Sequence, residues 1–272
     1  MRLRNRILVA LVGSPILLWV LLGLPPIFTP VFVALLAMVA SYEASRALGV
    51  KHLRIQAYSM VLSAGIPFWV YFGEGQLPAL IAMLLYVGLL FMEALPSNYA
   101  VKVSSIGAVF FFSVFIPYFL SSLVRINALP LRLCYILVPL IIPFMSDACA
   151  MFSGMLFGKR KLAPGISPKK TLEGSIGGLA GGTLAALLYG LIIGHIMGVE
   201  VHFAALLIYG CLGSAVSQIG DLSFSYVKRQ NGIKDFGDIF PGHGGVLDRF
   251  DSVIFCAPFI EVLIMVLPAF TS

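Results

Sequence analysis

Charge is scarce in this sequence. Asp, Glu, Lys and Arg make up 11% of its 272 residues, where soluble domains carry about 25%. A chain that is 60% hydrophobic, with a mean hydropathy of +1.00, has too few charges to cover one core. That excludes an ordinary soluble domain. Cysteine is scarce too. Cys134, Cys149, Cys211 and Cys256 stand apart in apolar stretches with no C-x-x-C pair. This excludes a disulfide framework or a thiolate metal site and leaves them as reduced packing residues. The short alternating segments of a membrane β-barrel are missing. So is a small-residue cleavage site after the first apolar stretch, which is therefore expected to be a transmembrane helix. No internal repeat and no nucleic-acid module is visible. The net charge of +6 is read as loops meeting anionic lipid, with no nucleic acid as partner.

What the sequence does have is long continuous apolar segments. They run roughly over 7–24, 27–47, 56–73, 78–96, 103–124, 133–157, 175–198, 202–226 and 253–270, each of a length that spans a bilayer as a helix. The expected fold is an all-α, polytopic integral membrane bundle of about nine transmembrane helices. Residues 1–130 are expected to form an N-terminal scaffold that permits lipid access. Residues 131–272 are expected to form a catalytic region with polar loops at 158–174 and 227–252. An inside N-terminus puts Arg2, Arg4, Arg6, Arg46, Lys51, Arg54, Lys102 and both polar loops on the inner side, and Glu74 and Glu200 outside. Only Arg125 and Arg132 dissent from the positive-inside rule, so both polar loops are expected to face the cytoplasm.

Polar residues inside the apolar segments are few and therefore informative. Ser214, Gln218, Asp221, Ser225 and Lys228 fall on one helical face. A carboxylate there needs a wet cavity, a cation or a partner, so this stripe is expected to line a cavity open to the cytoplasm. A packing seam is the plainer alternative. Asp147 raises the same question, with Ala150, Gly154 and Gly158 following on its face. Gly174, Gly178 and Gly182, with Gly177 and Gly181, show the small-xxx-small spacing of close helix packing. Glu261 is expected to be structural. Glu43 and Glu93 are expected at the membrane interface, as are His195 and His202 on the outer side.

The first polar loop, GKRKLAPGISPKKTLEG, gathers Lys159, Arg160, Lys161, Lys169 and Lys170. Binding anionic headgroups is the plain reading. Ser167 and Thr171 bracket Lys169 and Lys170, a mixture of hydroxyl and ammonium that suits phosphate oxygens. The second loop mixes Lys228, Arg229, Lys234 and Arg249 with Asp235, Asp238, Asp248 and Asp251. A lipid patch has no use for the acids. A nucleotide with a divalent metal needs both signs. Gly242, Gly244 and Gly245 around His243 let backbone N–H groups approach an anion.

The run SYVKRQNGIKDFGDIFPGHGGVLDRFD, Ser225 to Asp251, resembles the signature of the phosphatidate cytidylyltransferases, or CDP-diacylglycerol synthases. Gly220-Asp221-Leu222 and the stretch from Lys161 to Gly174 are also similar to that family, so the likeness covers roughly residues 147–252. It implies transfer of a cytidylyl group from CTP to phosphatidate, with release of pyrophosphate. It implies Asp221 and Asp248 as ligands of Mg²⁺, with potassium as a second cation. Lys228, Arg229, Lys234 and Arg249 become candidates for phosphate contacts, and His243 for a donor to phosphate. Ser167, Lys169, Lys170 and Thr171 become candidates for holding CTP phosphates or the lipid headgroup. Asp235 and Asp251 are expected to orient cations, and Asp147, Ser225, Gly244 and Gly245 to line the substrate site. CTP, phosphatidate and membrane lipids are the expected partners, in a prokaryotic inner membrane, and the Gly-rich faces permit a homodimer. The alternatives are a CTP-dependent, polyprenol-type lipid kinase, which releases CDP, and an anion transporter. The transporter fits less well because related halves are missing.

Overall fold

With no water to satisfy its backbone, a membrane-crossing segment closes its own hydrogen bonds, and a continuous apolar run does so as a helix. The computed structural model describes residues 13, 15–73, 75–239 and 244–271. The protein is an all-α, polytopic integral membrane protein, with little sheet among the described residues. The chain forms two compact units, one of residues 1–125 and 230–250, the other of 126–229 and 251–272.

In the first unit a π-helical turn, Trp19–Gly23, precedes α1 (Phe28–Ala47), α2 (Leu53–Phe72), α3 (Gln76–Ala94) and α4 (Val103–Leu120). Helix α2 packs against α1, α3 and α4. Val33, Ala37, Ala40 and Ala44 of α1 are buried at helical spacing, small residues that let a neighbouring backbone come close. Polar groups in this apolar setting satisfy one another. The Tyr86 hydroxyl of α3 lies 2.8 Å from Ser59 Oγ of α2 and 2.7 Å from Ser113 Oγ of α4, which ties three helices through one phenol. Helices α2, α3 and α4 also line an apolar cavity of about 890 Å³.

A short α5 (Ser122–Asn127) and α6 (Arg132–Tyr135) lead to α7 (Val138–Phe157) of the second unit. There follow β1 (Lys161–Ala163), β2 (Ser167–Thr171), α8 (Leu172–Met197), β3 (Glu200–Val201) and α9 (Phe203–Gln230). The last elements are α10 (Leu247–Val266) and β4 (Phe270–Thr271). Helices α7 and α8 pack along most of their length, and the glycines explain how. A Cβ on Gly174 would come within 2.8 Å of the Ala150 carbonyl, and one on Gly178 within 2.9 Å of the Ser146 carbonyl. The expected packing role of this glycine series is what the structure shows. Strands β3 and β4 pair antiparallel. The Tyr135 hydroxyl accepts the Phe270 N–H at 2.8 Å and donates to the Phe270 carbonyl at 3.1 Å.

Among the described residues, seven helices are long and apolar enough to cross a membrane. Of the expected span at 7–24, residues 7–12 and 14 lie outside the described residues, and its described part includes the π-helical turn Trp19–Gly23. The expected span at 253–270 begins earlier, as α10, which carries Asp248, Arg249, Asp251 and Glu261 and is not among the seven. Two expectations are corrected. The basic loop at 158–174 is an antiparallel hairpin, β1 on β2, that runs directly into α8. Glu43 does not reach an interface: it is 2% exposed, because the backbone of residues 245–247 closes over it.

Candidate active site

The second unit gathers acids and cations at one place. Asp221 on α9 has Lys170 Nζ of β2 at 2.5 Å from its Oδ2, and Ser225 Oγ, one turn on, donates to its Oδ1 at 3.3 Å. Lys228 Nζ, one further turn along α9, lies 4.0 Å from Asp251 Oδ2, both side chains being about one-tenth exposed. Asp251 Oδ1 accepts the N–H of Ser252 at 2.7 Å. The Ser252 hydroxyl donates to Asp147 Oδ2 on α7 at 3.1 Å. Asp251 thus feels the negative charges of Asp221 and Asp147 and the positive charge of Lys228. Six expected site residues, Asp147, Lys170, Asp221, Ser225, Lys228 and Asp251, form one network together with Ser252.

Local sequence explains this convergence. Gly220 precedes Asp221, and a Cβ there would come within 3.0 Å of the Asp251 carbonyl and 2.9 Å of Phe255 Cβ. Only glycine lets α9 lie this close to α10. Further along the stripe, Gln218 accepts from the Ser175 hydroxyl. It also donates to the Ser175 carbonyl at 3.1 Å and to Ser146 Oγ at 3.3 Å. Ser214 packs where Gly182 has no side chain. The expected polar stripe is therefore divided: Ser214 and Gln218 form the packing seam, while Asp221 and Lys228 carry the charge and Ser225 donates to Asp221.

The basic hairpin is held to the same unit. Glu173 accepts the N–H groups of Lys159 at 3.0 Å and Arg160 at 3.2 Å. Thr171 caps α8 by accepting the Gly174 N–H at 3.1 Å. Arg229 Nε donates to the Ile166 carbonyl in the hairpin turn at 3.1 Å. Along β2, Pro168 and Lys169 are exposed, Ser167 and Lys170 half-buried and Thr171 buried. Sequence reasoning overlooked Glu173 and Ser252. The first has a local signal, an acid in the first turn of a helix. The second, a serine next to an aspartate, has none.

In the first unit, Asp248 sits in the first turn of α10. Its Oδ2 accepts the N–H groups of Phe236 at 2.8 Å and Gly245 at 3.0 Å. Gly244 has φ +83°, a left-handed conformation that favours glycine, and a Cβ there would come within 2.8 Å of Asp248 Oδ2. The anion that the Gly245 N–H meets is the protein's own Asp248 carboxylate. Lys234, Asp235, Asp238 and Arg249 are exposed. His243 and Gly242 lie outside the described residues.

Whether these residues suit a divalent metal is a question of donor chemistry. Asp147, Asp221 and Asp251 with the hydroxyls of Ser225 and Ser252 offer only hard oxygen donors, the set Mg²⁺ takes. No group of three or more His, Cys, Asp or Glu among the described residues is gathered tightly enough to hold an ion as it stands. Asp221 Oδ2 instead faces an ammonium, a cation in the place a metal would take. The residues fit the ion in kind, with Lys170 as the group that must yield.

Residues 4–267 match the model of the Cytidylyltransferase family. Proteins named phosphatidate cytidylyltransferase are similar to this chain. That of Staphylococcus epidermidis is 41% identical over 131 residues, 48% of this chain and 49% of the relative. That of Bacillus subtilis is 42% identical over 132 residues, 48% of each chain. That of Staphylococcus aureus is 42% identical over 131 residues, 48% of this chain and 49% of the relative. The matched stretch spans about half the length of these relatives.

Proposed function

Since the chain belongs to the Cytidylyltransferase family, we propose that it transfers a cytidylyl group from CTP to phosphatidate, giving CDP-diacylglycerol and pyrophosphate. The observation that carries this reading is the pairing of Asp221 with Lys170 inside a cluster that also holds Asp147, Lys228 and Asp251. A site of both signs, on helices that cross a membrane, suits a polyanionic nucleotide, a metal and an anionic lipid. The printed names of the relatives support the same substrates.

In the proposed reaction a phosphate oxygen of the lipid forms a bond to the α-phosphorus of CTP. The bond from that phosphorus to the bridging oxygen breaks, and pyrophosphate leaves with the electron pair. A phosphate monoester has its second pKa at about 6, so the nucleophile is ionised at neutral pH and needs no dedicated base. The barrier is repulsion between polyanions and charge growing on the leaving group, so positioning and neutralisation dominate.

Bound Mg²⁺ would supply charge neutralisation at the phosphates. We assign Asp221 and Asp248 to hold it, with potassium as a second cation. Lys170, released from Asp221, becomes free to meet a phosphate. The exposed Lys169 and Arg229 are the other phosphate contacts of the second unit; Lys234 and Arg249 have that role in the first. Lys228 is 8% exposed and serves to hold Asp251. We place the protein in a prokaryotic inner membrane with these groups facing the cytoplasm, as the loop charges support.

Incubation of the purified chain with labelled CTP, phosphatidate and Mg²⁺, followed by lipid extraction, tests the reading. Label in a chloroform-soluble CMP-bearing lipid, with pyrophosphate released, supports it. CDP with a phosphorylated lipid indicates the kinase instead, and no labelled or phosphorylated lipid rules out both.

A further inference from the structure

We propose that Glu43 is a positioning residue for the transfer, holding the backbone that carries Asp248 in one arrangement. The inference rests on the reading above, in which Asp248 takes part in the reaction. Glu43 lies near the end of α1, more than two hundred positions from its partners, and is 2% exposed. Burying a carboxylate is costly unless hydrogen bonds replace its water. Here each oxygen has one: Oε1 accepts the Val246 N–H at 3.0 Å and Oε2 the Leu247 N–H at 2.8 Å. These donors open α10, where N–H groups lack partners within the helix and the helix dipole favours a negative charge.

The same carboxylate fills the space that two glycines leave. A Cβ on Gly237 or on Gly245 would collide with it. Both arms of the 230–250 segment therefore close on Glu43, one through Gly237 and the other through Gly245, Val246 and Leu247. Asp248 follows directly and binds the N–H groups of Phe236 and Gly245, on the same two arms. Glu43 also feels Asp248 and Asp238 as like charges, so among the described residues it is the backbone N–H groups that hold it. What the arrangement supplies is direction: with both arms fixed on Glu43, Asp248 can point only one way.

The test uses the full chain in detergent and two variants. Glu43→Gln keeps the shape but sets an amide NH₂ against one backbone N–H, so one bond is lost. Gly237→Ala leaves Glu43 in place and pushes its carboxylate aside. Hydrogen exchange of the peptide covering Val246 and Leu247 should be at least about tenfold faster in each variant, because local opening becomes easier. A misplacement on the order of 1 Å costs roughly 10²-fold in rate, so kcat should fall by about that factor while KM for CTP stays within about twofold. Unchanged exchange, or faster exchange with wild-type kcat, overturns the inference. So does failure of both variants to fold, which would make Glu43 a stability residue only. If wild type itself makes no CMP-bearing lipid, the functional reading fails, and the exchange experiment still reports whether Glu43 holds the segment.

Discussion

Lys170 Nζ and Asp221 Oδ2 lie 2.5 Å apart, one on the second strand of the basic hairpin and the other on a membrane-crossing helix. The sequence suggests opposite tasks for them, a phosphate contact and a metal ligand, and the structure makes them partners. Both side chains are about a quarter exposed, so the pair is accessible to solvent and can be exchanged for ligands. In the proposed reaction an arriving nucleotide–metal complex would offer each its replacement: phosphate for the ammonium, metal for the carboxylate. The pair compensates both charges, and on the proposed reading it would do so until substrate arrives.

Removing the ammonium should separate these two roles. Lys170→Ala is expected to raise KM for CTP or for phosphatidate by roughly tenfold, about the free energy of one exposed charge-assisted hydrogen bond. Lys170→Arg should recover part of it. Steady-state kinetics with each substrate varied in turn checks this, and an unchanged KM for both would return the hairpin to plain headgroup binding.

Asp221→Asn keeps the volume and the Ser225 contact while removing the charge. We expect kcat to fall by at least about 10²-fold, the scale of losing one electrostatic group at a reacting phosphate. The variant should elute and melt in detergent much as the wild type does, since the Asp221 side chain is about a quarter exposed. Turnover within a few-fold of wild type, measured with saturating Mg²⁺, would remove Asp221 from the metal.

The interhelical glycines make a claim about packing alone. Gly178→Ala would put a Cβ within 2.8 Å of Gln218 Nε2 and 2.9 Å of the Ser146 carbonyl. Overpacking of this kind typically costs about 1–3 kcal/mol. We expect lower thermal stability in detergent, with KM for CTP unchanged in the folded fraction. A melting temperature equal to that of wild type would show that α7 and α8 can separate freely.

Much of this was legible in the sequence because the signals are local or periodic. Continuous apolar runs gave the helices, and the four-residue glycine spacing gave the packing face of α8. Asp221, Ser225 and Lys228 could be placed together because they share one helix. Other features depended on distant partners. Glu43 looks like a span-end acid until residues 245–247 close over it, and nothing within α1 announces those N–H groups. The hairpin was hidden because its strands are three and five residues long and rich in lysine, and neither shows the alternation of buried and exposed residues that marks a strand. Ser252 was missed because its importance lies in bridging Asp251 to Asp147, a contact across 105 positions.

The most demanding case is Lys228 with Asp251. Both side chains are about one-tenth exposed, and their charged ends are 4.0 Å apart. Asp251 also faces the like charges of Asp147 and Asp221, so the ammonium of Lys228 compensates a surplus of negative charge. Replacing one partner of a buried pair typically costs about 3–5 kcal/mol, because the other charge is left behind. Lys228→Met is therefore expected to destabilise the protein strongly, and the double variant Lys228→Met with Asp251→Asn to recover a large part of the loss. Thermal unfolding of the two single variants and the double variant in detergent measures the coupling. Additive losses would mean that the two side chains do not compensate one another, and Lys228 would then return to the pool of phosphate contacts.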